Sequence, residues 1–114
     1  MDSKLDILIN AKMIDLSDKD LINNSLEILE VTYGDHNNEV FDRLQMHLAM
    51  MINRQRNNQS IDKMPENIWE MIMEDNLYIE ASHLFEKMEK ILDIPINERA
   101  YVILHLCNYL KEVK

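Results

Sequence analysis

Apolar residues recur along this chain at three- and four-residue steps rather than at two, the period of helices that bury one face. The clearest run spans residues 38 to 57, where Phe41, Leu44, His47, Leu48, Met51 and Ile52 form one stripe with Arg54 near it, and Asn37 or Asn38 is placed to cap it. Before it, Ser17 with Asp20 three residues on forms a relative of a capping box. That box opens a helix bearing Leu21, Leu26, Ile28, Leu29 and Tyr33, which Gly34 stops. A shorter pattern in residues 2 to 13, with Leu5, Leu8 and Ile9, predicts a short helix. The polar run RNNQSIDK ends the long helix, and Pro65 starts another through Ile68, Trp69, Ile72 and Met73. Asn76 is placed to cap a fourth helix that carries Ile79, Leu84, Phe85, Met88, Ile91 and Leu92. Pro95 forces a break, and a last helix from about 97 to 112 buries Ala100, Tyr101, Leu104, Cys107 and Leu110. The expectation is an all-α fold, a compact five-helix bundle over residues 17–114, with an extra short helix in the N-terminal segment 1–16.

Composition supports this reading and narrows it. A single glycine in 114 residues argues against a sheet-rich fold, whose turns need several residues at positive φ. At this length roughly two-thirds of the unfolded chain's surface can be buried, enough for one core. Cys107 has no partner, so no disulfide scaffold is available. No run of about 18 apolar residues predicts a membrane span, and MDSKLDILIN does not read as a signal peptide, so a cytoplasmic protein is expected. The net charge of -9 would repel a phosphate backbone, so direct nucleic-acid binding is not expected; a basic protein partner suits it better.

The chain contains no GxGxxG, GxxxxGK[ST], GxSxG, HExxH or CxxC, so ordinary enzyme motifs and cofactor sites are not expected. Glu80 and His83 match one half of the Glu-x-x-His pattern of di-iron bundles, but such sites need two copies. The plainer reading of His83 is a surface residue, and of His36, in YGDHNN, a turn residue. The nine methionines are more often packing than function.

His47 and His105 are more informative, because each lies on or beside an apolar stripe, where a titratable ring needs a partner or a purpose. A histidine so placed is more often a satisfied structural residue than a reacting one. Arg54, however, lies seven residues after His47 and Glu98 seven before His105, about 10.5 Å along each helix. If the two helices pack antiparallel with the histidines level, Arg54 and Glu98 are level too. They then form an ion pair that fixes register, with the histidines face to face at its other end.

These segments resemble the phosphotransferase-system regulation domain, the PRD module of bacterial sugar-responsive antiterminators and activators. His47-Leu48-Ala49-Met50-Met51-Ile52-Asn53-Arg54 is similar to the family's first histidine signature. Ile94, Pro95, Glu98, Leu104 and His105 are similar to the second, and WEMIMEDNLYIEASHLFEKMEKIL to the helices between, so the resemblance covers about residues 17 to 112. It implies a five-helix regulatory domain, usually a homodimer, phosphorylated on His47 and His105 by a histidine phosphocarrier protein or a sugar-specific IIB component. Arg54 and Arg99 are the candidate counter-charges. Family members commonly carry two copies fused to a nucleic-acid-binding domain, whereas one copy stands here, so output is expected to pass through a regulator protein. Met46 stands where an acidic residue is frequent. Two other readings stay open: a structural partner-binding bundle whose histidines are core residues, and a metal-dependent enzyme using Glu80, His83, His47 and His105.

Overall fold

The structure is a computed structural model and describes residues 3–34 and 39–114. His36 and the cap expected at Asn37 or Asn38 lie outside the described residues. Among the described residues there are six helices and no strands: α1 (Ser3–Asn10), α2 (Leu16–Tyr33), α3 (Glu39–Arg56), α4 (Glu66–Met73), α5 (Tyr78–Met88) and α6 (Ile96–Val113). The five helices of the bundle are joined by the extra helix expected in the N-terminal segment, which brings the count to six. Leu5, Leu8 and Ile14 from that segment join the common core.

Each boundary has a local cause. The cap of α2 is Asp15 with Asp18, two residues earlier than the Ser17 and Asp20 expected from sequence. Asp18 N–H donates to Asp15 Oδ1 at 3.0 Å, and Asp15 N–H donates back to Asp18 Oδ2 at 2.8 Å. Aspartate at both ends of the box satisfies the orphan amides as a serine–glutamate pair would. Arg56, at the end of α3, closes over this cap and donates to Asp18 Oδ1 at 2.7 Å. Gly34 stops α2 with φ 87°, a left-handed conformation that side chains with a Cβ avoid. Pro65 and Pro95 occupy the N-cap positions of α4 and α6. The fourth expected helix is shorter than its pattern, since α5 ends at Met88, and its cap position is Leu77 rather than Asn76.

α6 lies at the centre, packed on α3 and α5, with α2 covering both of those helices and α1 lying on α3. Leu44, Leu48, Met51, Ile103, Leu106 and Leu110 are fully buried, each contributing about 1.5–3 kcal/mol of transfer free energy. On α2 the buried stripe is Ile22, Leu26 and Leu29, and Leu21 is 40% exposed. Ile22 shares the face of Leu26 and Leu29 at four- and seven-residue steps, which puts Leu21 about 100° off it. Ile79, expected inside, is exposed for the same reason, the stripe of α5 being Ala81, Leu84, Phe85 and Met88, and Ile91, also expected inside, is exposed in the turn beyond the end of that helix.

Candidate functional site

The long apolar stripes of α3 and α6 pack these helices against each other, and two cross-links show the direction. Arg54 near the end of α3 reaches Glu98 near the start of α6, while His47 in mid-α3 meets His105 further along α6. The helices therefore run antiparallel. Arg54 grips Glu98 with both arms of its fork, Nε to Oε2 at 2.9 Å and Nη2 to Oε1 at 2.8 Å. The Glu98 side chain is 3% exposed, so this is a buried, bidentate, charge-assisted pair. The rings of His47 and His105 lie 4.8 Å apart, tilted by 45°.

The expected register is thus present, with one difference. The ion pair and the histidine pair are not separate ends of an interface, because Glu98 Oε1 also sits 3.2 Å from His47 Nε2. Arg54 spans the distance along the helix with its long side chain and meets Glu98 beside the imidazole. Tyr101 also stacks on His47, with centroids 6.3 Å apart and planes at 23°. Its hydroxyl donates to the Asp62 carbonyl at 3.0 Å and so fastens the segment before α4 to the same helix.

Both imidazoles are held neutral near pH 7. Burial lowers the pKa of His47, and the Arg54 charge lowers it further against the opposing pull of Glu98. His105 is pushed down to about 4 by burial, with the His47 ring and Arg43 adding to the effect. A neutral imidazole keeps a lone pair on one nitrogen and a hydrogen on the other, so each ring presents a nucleophilic nitrogen that an imidazolium would lack.

Arg99 is not part of this arrangement. Its guanidinium lies over the Phe85 ring, 5.0 Å from the centroid, because it follows Glu98 by 100° around α6. The cation that sequence reasoning missed is Arg43, one turn before His47 on the same face of α3, whose charge acts on His105. The four-residue spacing is the signal that could have found it.

The rival chemistry fares less well. Glu80 accepts from Tyr33 and from Lys114, the latter at 2.6 Å, and His83 is exposed on α5. No group of three His, Cys, Asp or Glu among the described residues could hold a metal ion. Cys107 is buried with its thiol pushed up to about 11, which leaves it unreactive at neutral pH. Among the described residues no helix is long and apolar enough to cross a membrane.

No curated protein and no solved structure matches the chain. The PRD domain family model matches residues 19–109, a span that contains α3, α4, α5, most of α6 and both His47 and His105, and the chain belongs to the PRD domain family.

Proposed function

We propose that this domain is a phosphoacceptor in bacterial sugar-responsive transcription control. In this reading His47 and His105 take phosphoryl groups from the phosphotransferase system, and the result is passed on by protein–protein contacts. Membership of the PRD family supports a regulatory role linked to that system. The observation that carries the rest is the pair of neutral imidazoles 4.8 Å apart on two helices whose packing defines the core. Phosphorylation of either ring adds about -1.5 to -2 charges at the α3–α6 interface, next to the carboxylate of Glu98. Such a charge changes helix packing, and a homodimer or a separate regulator protein would read that change. The donor is a histidine phosphocarrier protein or a sugar-specific IIB component, whose basic face the acidic surface of this cytoplasmic domain suits. No turnover of its own is needed.

The test is intact-mass analysis after incubation with phosphoenolpyruvate, enzyme I and the histidine phosphocarrier, on the parent, His47→Ala and His105→Ala. An acid-labile adduct that disappears when a histidine is replaced supports the reading. Absence of any adduct, with IIB components also supplied, replaces it with a structural partner-binding bundle.

A further inference from the structure

The two imidazoles are not chemically equivalent. His47 Nε2 lies 3.2 Å from Glu98 Oε1, and that carboxylate is fixed by both nitrogens of the Arg54 fork. An ionised carboxylate only accepts, so a neutral His47 must carry its hydrogen on Nε2 and donate it to Glu98. Its lone pair is then confined to Nδ1, the nitrogen nearer its own helix backbone. His105 has no hydrogen-bond partner at either nitrogen among the described residues, and its only close ring contact is the face of His47. It can present a lone pair from either nitrogen.

We infer that Glu98 sets the order of acceptance: His105 takes the first phosphoryl group, while Glu98 withholds Nε2 of His47. This rests on the phosphoacceptor reading above and assigns its first step. The His105 lone pair attacks phosphorus of a phosphohistidine on the donor protein, forming an N–P bond. The donor's N–P bond breaks, and its electron pair returns to the donor imidazole. One proton passes through solvent from the N–H of the acceptor ring to the donor ring, which closes the balance.

The surroundings favour this direction. Among the described residues Arg43 pairs with Glu39, across 3.3 Å, and both side chains are well exposed, so little holds it there. It lies one turn from the level of the histidine pair and can turn toward a phosphoryl group on His105. A phosphorylated His105 also raises the proton affinity of the adjacent His47. A protonated His47 has no lone pair and donates to the new group instead of competing for another.

The experiment is a time course of phosphorylation with phosphoenolpyruvate, enzyme I and the histidine phosphocarrier, with the labelled histidine mapped by mass spectrometry at alkaline pH. The variants are His47→Gln, His105→Gln and the triple variant Arg54→Met/Glu98→Leu/His105→Gln. The first adduct on the parent is expected on His105, and His47→Gln is expected still to be labelled there. His105→Gln is expected to slow about tenfold or more, because the lone pair left on His47 is the Nδ1 one beside its own helix, and attack from Nε2 requires release of one charge-assisted hydrogen bond. The triple variant, with an apolar pair in place of the ion pair, is expected to recover that loss at His47. A separate readout needs no donor: nitrogen-15 NMR of the unphosphorylated parent should show His47 as the Nε2–H tautomer. A first adduct on His47, an Nδ1–H tautomer, or a triple variant as slow as His105→Gln overturns the inference while leaving the phosphoacceptor reading intact. No adduct on any form overturns both.

Discussion

Replacing Arg54 by methionine removes one half of a buried ion pair and leaves the other half in place. Glu98, 3% exposed, would be left buried with the His47 N–H as its remaining partner. Breaking a buried pair from one side costs about 3–5 kcal/mol. Two features here pull the value down: Arg54 is itself 21% exposed, and His47 remains as a partner. The expected loss is therefore about 2–3 kcal/mol, or about 8–12 °C in Tm for a domain of this size. Arg54→Met/Glu98→Leu, which removes both charges and keeps the volume, should return to within about 1 kcal/mol of the parent. Urea unfolding followed by circular dichroism reads both values, with an unchanged m-value as the check that the denatured state is the same. A single variant within about 0.5 kcal/mol of the parent, or a double variant as unstable as the single, would refute the reasoning.

Stability should fall as pH drops from about 7 to about 4. Both histidines have folded pKa values below the unfolded value of about 6.5, so the unfolded chain binds more protons across that window. For His105 the loss is about 2 kcal/mol after discounting for partial exposure, and His105→Gln should flatten the slope; an equally steep slope in that variant counts against burial as the cause. Cys107, 2% exposed and with its thiol at about 11, should react with a thiol-specific disulfide reagent only at the rate of opening of the fold. Labelling within the mixing time in native buffer would contradict its placement.

The α3–α6 register was legible because it needs only two periodicities and one ion pair. His47, Arg54, Glu98 and His105 sit at matching seven-residue offsets, and antiparallel packing converts those offsets into contacts. What spacing could not show is how far a side chain reaches. Arg54 is long enough to bring Glu98 beside His47, so a carboxylate placed two turns from His105 in sequence ends as a hydrogen-bond partner of the other histidine. The same limit explains Arg99, whose charge suggested a role but whose position on α6 points it to Phe85. Apolar stripes on α2 and α5 were read one or two positions off because several neighbouring residues are all apolar. Only packing decides between Leu21 and Ile22, or leaves Ile79 in water. The sixth helix was legible from Leu5 and Leu8, which dock it on the core.

The contacts that make the histidine site are distant in sequence, with Glu98 51 residues from His47 and 44 from Arg54. Loop closure of that span must be completed before either contact contributes, so the α3–α6 junction belongs to the non-local part of folding. A ribosome-bound chain that has not yet released α6 holds His47 without Glu98 or His105 beside it. The histidine pair therefore comes into being only with the finished domain, so any partner that recognises the two rings together distinguishes folded molecules from nascent ones.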